Sequence, residues 1–268
     1  MSLQNAIFRA RRFVRHQFTA WNTGGEGVHS PNLFYLVRMI IYDDNAYYVF
    51  PLIEQHRQAL LRSTTTVQQK DYGTGARQAA VSRKVAHIAR THLESPKVAQ
   101  LLYRLVNYLT TTQRQPLTIV ELGTSLGITT AYLASPSPRN RVQTYEGADE
   151  VLNIARQVWH KLGLTNIEPV PGNIDDTLPK YCPKQVDLAY IDANHTYEAT
   201  MRYFRQLLPA VHRHSVIVVD DIHHSPGMER AWHDIQAAEQ VTSTIDCYHV
   251  GLVFFNRHYI HRHYKMRI

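Results

Sequence analysis

Cysteine is nearly absent: Cys182 and Cys247 are the only two in 268 residues. Two thiols so far apart make neither a disulfide framework nor a zinc cluster, and their scarcity fits a reducing compartment, so a cytoplasmic setting is expected. Long apolar runs are missing as well. No stretch approaches the ~20 residues of a spanning helix and no secretory apolar segment follows the start, so no membrane span is expected. Acids are missing from the beginning of the chain. No Asp or Glu precedes Glu26, while Arg9, Arg11, Arg12 and Arg15 alternate with Phe8, Phe13, Val14 and Phe18. Residues 1–113 hold 14 Lys and Arg against 6 Asp and Glu, and residues 114–268 hold 15 against 16. The net charge of +7 therefore lies in the first region, which argues for two regions with different jobs. The basic, aromatic start suits RNA, lipid head groups or an acidic partner, and it superficially resembles an organellar transit peptide. The plainer expectation is an exposed basic helix face over an apolar stripe.

What remains is an ordinary globular composition, 44% apolar and 19% charged, with a regular rhythm in its second half. β-rich runs fall at 117–122, 141–147, 166–173, 186–192 and 215–221, and helical patterns separate them. The helix over 148–163 shows the spacing well, with Val151, Ile154, Ala155, Val158 and Leu162 on one face and Gly163 as its stop. Alternation of this kind implies crossover connections and a parallel sheet. The last two runs, 242–248 and 249–257, have no room for a helix between them and must pair antiparallel. The fold class expected is α/β, a Rossmann-like sheet of seven strands with the last one reversed. Residues 1–113 read instead as a helical extension, with helices near 3–20, 31–41, 50–62, 76–93 and 96–110 and polar connectors at 24–27 and 62–76. It would pack on the sheet or on a second copy of the chain, as in a homodimer.

Four groups of residues carry chemistry. IVELGTSLG (119–127) leaves a strand through a glycine turn into a helix, where backbone N–H groups can meet a carboxylate or phosphate. Its spacing is E-x-G-x-x-x-G and not the dinucleotide G-x-G-x-x-G, and Glu121 would repel a pyrophosphate but welcome a cationic amino-acid moiety. Glycine turns of this kind also arise for packing alone. Glu146 ends the next strand about 20 residues on, where an acid can accept both hydroxyls of a ribose. Asn173 and Asp175, after the third strand, suit either an adenine border or a helix cap. Asp192 ends the strand VDLAYID, and Asp220 and Asp221 end VIVVDD. Adjacent carboxylates repel unless something neutralises them, and in a parallel sheet such strand ends share one edge. Three of them could hold a hard divalent cation such as Mg²⁺, with His195 as a general base; the plain alternative is loop and helix capping. Of the 16 histidines, most read as surface residues, and His223 is a secondary candidate.

ELGTSLGITTAYLA, the strand-end Glu146, IDANHTYE and VVDDIH together resemble class I S-adenosylmethionine-dependent methyltransferases, and within them the catechol O-methyltransferase-like, cation-dependent small-molecule O-methyltransferases. The resemblance covers about 115–257. HSPNLF (29–34), DYGTGARQ (71–78) and TIDCYHVGLVFF are similar to an uncharacterised bacterial subgroup. It implies a cap or oligomerisation region over 1–113 and an S-adenosylmethionine-binding domain over 114–268. Glu121, Gly123, Thr124, Ser125, Gly127 and Thr129 would hold the methionine part of the cofactor, Glu146 its ribose, and Asn173 and Ile174 its adenine. Asp192 would lie beside the cofactor and act in catalysis with His195, while Asp192, Asp220 and Asp221 occupy the family's metal positions. The family's catechol enzymes carry Lys where this chain has His195, which leaves the base role intact in kind and speaks against a catechol; the acceptor expected is a small, anionic molecule. The loop with Asp71, Gly73 and Gly75 would cover the cofactor. RNA or protein methylation ranks second, since the fourth strand ends in IDAN and not in an NPPY-like tetrapeptide. A non-catalytic nucleoside-binding protein ranks third.

Overall fold

Helix caps written in the sequence set the element boundaries. In the computed structural model, which describes residues 3–69, 81–259 and 261–268, the chain forms two compact units, Met1–Asp43 with Lys184–Ile268, and Asp44–Pro183. The chain begins with α1 (Leu3–Thr19) and α2 (Pro31–Ile40). Ser30 caps α2 by accepting from Leu33 N, with Pro31 in the first turn, where a missing N–H costs nothing. The second unit opens with α3 (Val49–Leu61), β1 (Thr66–Gln69), β2 (Val81–Lys84), α4 (Val85–His92) and α5 (Pro96–Gln113). Ser95 and Pro96 cap α5 in the same way, and Leu101, Leu102, Leu105 and Val106 bury its apolar face.

The alternation follows: β3 (Thr118–Leu122), α6 (Ile128–Ala134), β4 (Arg141–Glu146), α7 (Asp149–Lys161), β5 (Ile167–Pro171) and α8 (Ile174–Tyr181). β4 pairs in parallel with β3 on one side and β5 on the other. The buried core of this unit joins α3 and α4 to α6 and α7, with Ile53, Ile88, Tyr132, Leu152 and Trp159 among its members. The first unit resumes with β6 (Val186–Ile191), α9 (Tyr197–Leu207), β7 (Val211–Asp220), α10 (Pro226–Gln236), β8 (Ser243–Asp246), β9 (Val250–Phe254) and β10 (Arg262–Lys265). β6 and β7 are parallel, and β9 runs antiparallel to both β7 and β8.

The main sheet has eight strands: β3-β4-β5 in the second unit and β10-β8-β9-β7-β6, in that order, in the first. The seven expected strands are all there and β9 is the reversed one, as the short link after β8 requires. The eighth, β10, pairs in parallel with β8. Its four residues, RHYK, bury only Tyr264, too little apolar signal to mark a strand from sequence.

Two expectations need correction. Within the helix placed over 76–93, Val81–Lys84 is instead a strand, pairing antiparallel with Thr66–Gln69 inside what read as a connector, and the helix begins at Val85; residues 76–80 lie outside the described residues. Asp71, Gly73 and Gly75 lie outside the described residues. The second correction concerns α1. Its inward face is the polar one, with Arg12 on Glu229 and His16 on Asp246, while Ile7, Val14 and Phe18 face outward.

Candidate active site

In the second unit, β3 delivers its last residues into a turn built by hydrogen bonds to β4. Gly123 N and Thr124 N both donate to Tyr145 O, at 3.0 and 3.1 Å. Gly123 has φ +103° and Ser125 φ +49°. Glu121 is fully buried and its Oε2 accepts from the hydroxyls of Thr130 (2.5 Å) and Thr144 (2.6 Å), with Thr124 Oγ1 2.6 Å from Thr144 Oγ1. Hydroxyl donors of this kind offset part of the cost of burying a carboxylate. Thr129 is buried at the start of α6.

Gly127 has a packing reason. At φ +76° a Cβ there would fall 2.6 Å from Trp159 Nε1 and 2.7 Å from Ala155 Cβ, and Trp159 Nε1 donates to Gly127 O at 2.9 Å. The glycine lets α6 start against α7.

Glu146, at the end of β4, ties two turns together: Ser125 N donates to its Oε2 and Ala148 N to its Oε1, both at 2.9 Å. Burial pushes its carboxyl above the usual value, and the N–H groups of Ala148, Ser125 and Gly147 oppose that shift. Ser125 Oγ has no hydrogen-bond partner among the described residues. Asn173 is the cap of α8, accepting from Asp175 N at 3.1 Å, and Ile174 is buried behind it.

In the first unit the strand ends meet. Asp192 follows β6, Asp220 ends β7, and one ligand atom from each of Asp192, His195 and Asp220 lies within 4.8 Å of the others. His195 Nε2 is 3.3 Å from Asp192 Oδ1. Asp221, expected in this group, turns away at φ +51° and places Oδ2 3.1 Å from His224 Nδ1. Burial pushes the Asp221 carboxyl up. The hydrogen bond from His224 and the charges of His195, His224 and Arg9 outweigh it and hold the group below the ordinary range.

Five of the six non-glycine residues with positive φ are Ser125, Asn194, His195, Asp221 and Tyr248. Ser125 sits in the turn after β3, Asn194 and His195 in the turn after β6, and Asp221 in the turn after β7. Left-handed backbone costs about 1–3 kcal/mol at such residues, and the surroundings enforce it here: Asn194 Nδ2 donates to Tyr203 OH at 2.6 Å.

A second acidic centre, missed in the sequence, lies behind the Asp221 loop. Asp246 is 2% exposed. Its Oδ2 is 2.9 Å from His223 Nε2, its Oδ1 3.2 Å from His16 Nε2, and Tyr248 N donates to Oδ1 at 2.9 Å. Burial opposes ionisation, yet hydrogen bonds from His16 and His223 drive the carboxyl well below its usual range. His223 also lies 3.7 Å from Glu229, which pairs with Arg12 at 2.6 Å. Only the HH pair after VVDD hinted at this cluster. His16 and Asp246 are 230 residues apart in sequence.

A Rossmann-like sheet with one reversed strand, a glycine turn, and acids at its strand ends is the class I methyltransferase fold. Residues 120–222 match the family model described as a methyltransferase domain. Solved structures similar to it include the O-methyltransferase from Bacillus cereus in complex with SAH, at 20% identity over 82% of this chain and 95% of that one, with a TM-score of 0.55. The O-methyltransferase TomG from Streptomyces achromogenes, involved in tomaymycin synthesis and in complex with SAM, gives 20% identity over 70% and 92%, with a TM-score of 0.54. A methyltransferase from Geobacter sulfurreducens gives 14% identity over 85% and 98%, with a TM-score of 0.55. A comparison with the curated proteins gives no match. No helix among the described residues is long and apolar enough to cross a membrane.

Proposed function

We propose that the protein transfers a methyl group from S-adenosylmethionine to an oxygen of a small, anionic acceptor. The observation that carries this reading is the Asp192–His195–Asp220 group within a chain whose residues 120–222 match a methyltransferase domain. Gly123, Thr124 and Ser125 would meet the methionine end of the cofactor, Ser125 Oγ offering a hydrogen bond that no protein group takes. Glu146 would accept the ribose hydroxyls on the lone pairs its backbone N–H contacts leave free, and Asn173 and Ile174 would border the adenine.

The donor set, two carboxylates and an imidazole within 4.8 Å, fits a divalent cation. Asp192 and Asp220 would hold it, with Asp221 a third carboxylate once released from His224. When bound, such a cation lowers the pKa of the acceptor hydroxyl. His195, oriented by Asp192 through Nε2, takes the hydroxyl proton on its other ring nitrogen. The acceptor oxygen forms its bond to the methyl carbon as the carbon–sulfur bond breaks, leaving the neutral thioether and one proton on the imidazole. A left-handed backbone at Asn194 and His195 holds the base in place at rest, so little reorganisation accompanies proton transfer.

Titration calorimetry with Mg²⁺ and single-turnover methyl transfer test this together. His195→Ala should keep cation binding and lose about 10²–10⁴-fold in rate, whereas Asp192→Ala should lose both. Cation binding that vanishes in His195→Ala makes the histidine a ligand and removes it as the base. Undiminished turnover in chelator removes the cation.

A further inference from the structure

α1 is inside out. Eight of the twelve exposed large apolar side chains among the described residues fall between Ile7 and Met39. On α1 itself Ile7 (49% exposed), Val14 (54%) and Phe18 (77%) recur at i, i+7 and i+11, one stripe of a helix. Ala10 is exposed at the i+3 position of the same stripe, and Trp21 (77%) follows just past the helix end. The opposite face meets the protein with Arg12 and His16, because the surface beneath offers the carboxylates of Glu229 and Asp246. A helix normally buries its apolar stripe. Here the demand of two buried acids for hydrogen-bonding partners turns the helix over, and the stripe is left facing out.

Charge decides what covers it. Arg11 and Arg15 are exposed along one border of the stripe, and the chain holds no acid before Glu26. A second copy seated stripe to stripe would bring four arginines together with no carboxylate from either helix to offset them. An anionic lipid surface supplies the missing charge and an apolar interior at once, and an aromatic residue at the end of such a helix suits the head-group layer.

We infer that α1 is a membrane-surface helix: it lies along anionic lipid with Ile7, Val14 and Phe18 among the acyl chains, Trp21 in the head-group layer, and Arg11 and Arg15 on the phosphates. The Glu229 and Asp246 contacts keep the helix docked with its apolar side outward, so the protein needs no rearrangement to bind. This stands apart from the methyl-transfer reading.

Flotation of the full chain with vesicles tests it, using phosphatidylglycerol and phosphatidylcholine in equal parts, or phosphatidylcholine alone. Binding is expected to the anionic vesicles, falling as salt rises. Phe18→Ser with Val14→Ser should lower the partition coefficient about tenfold or more, and Arg11→Glu or Arg15→Glu by about fivefold or more each. All four side chains are exposed, so an unchanged melting temperature checks that the fold is intact. Equal binding to both vesicle types overturns the inference, as does no binding to either. A dimer in light scattering that Phe18→Ser dissociates, without vesicle binding, assigns the stripe to a second copy instead. Capture of RNA without capture of vesicles likewise overturns it.

Discussion

Gly127→Ala separates a glycine needed for packing from one needed for a ligand, and its cost can be worked out. The backbone sits at φ +76°, where a side chain costs about 1–2 kcal/mol. The new methyl group would lie 2.6 Å from Trp159 Nε1 and 2.9 Å from its Cε2. Trp159 is buried and cannot swing away, so overpacking adds about 1–3 kcal/mol. Displacing the indole also strains the Trp159–Gly127 hydrogen bond, for about 1 kcal/mol. A stiffer unfolded chain returns about 0.4–1 kcal/mol. The net loss is roughly 3–4 kcal/mol, a large share of the ~5–15 kcal/mol that holds a typical protein folded. In urea this should move the unfolding midpoint down by about 1 M or more, read from far-ultraviolet circular dichroism. Repeating the substitution in a Trp159→Leu background should recover much of the loss, because the clash partner is gone. A midpoint shift below about 0.2 M, or full additivity of the two changes, refutes the packing account.

Glu146 carries a pH dependence. Its folded pKa is raised, so its contribution to stability is fully present below the ordinary carboxylate value and is lost as pH rises through the folded value. Ribose hydroxyls would favour the ionised form, so affinity for S-adenosylhomocysteine should rise with pH over that window, and Glu146→Gln should flatten the profile in a calorimetric titration. Asp246 runs the other way: its depressed pKa gives stability that is present above its ordinary value of 3.8 and lost as pH falls through the folded value. Asp246→Asn should cost about 1–3 kcal/mol in chemical denaturation, since it takes a carboxylate hydrogen-bond acceptor from His16 and His223. Gly251→Ala would drive its Cβ into the Trp232 ring and should lower stability by about 1–3 kcal/mol, with the near-ultraviolet signal of the indole changing in step.

Much of the fold was legible because the period of apolar residues changes cleanly between strand and helix after Thr118, and because Ser–Pro pairs mark the starts of α2, α5 and α10. Tight spacing made β8 and β9 antiparallel partners before any coordinates. β1 and β2 were not legible: four residues each cannot display a period, and only Val67 of the first is buried. The orientation of α1 was not legible either, since the acids that turn it over come from Glu229 and Asp246, more than two hundred residues away. At the candidate site, Asp192, Asp220 and His195 could be named because strand ends in a parallel sheet share an edge. The pairing of Asp221 with His224 could not, because it depends on a left-handed φ at a residue that rarely adopts one.

The outer side of β10 is sealed by the beginning of the chain. Asn22 N donates to Lys265 O, Lys265 N donates to Asn22 Oδ1, and Arg267 N donates to Thr23 Oγ1. A terminal strand would otherwise offer its backbone to any extended peptide. Start and finish thus guard one border jointly: loss of Asn22 and Thr23 to a protease would bare the outer backbone of β10, and loss of β10 would bare the edge of β8, each inviting strand-to-strand aggregation.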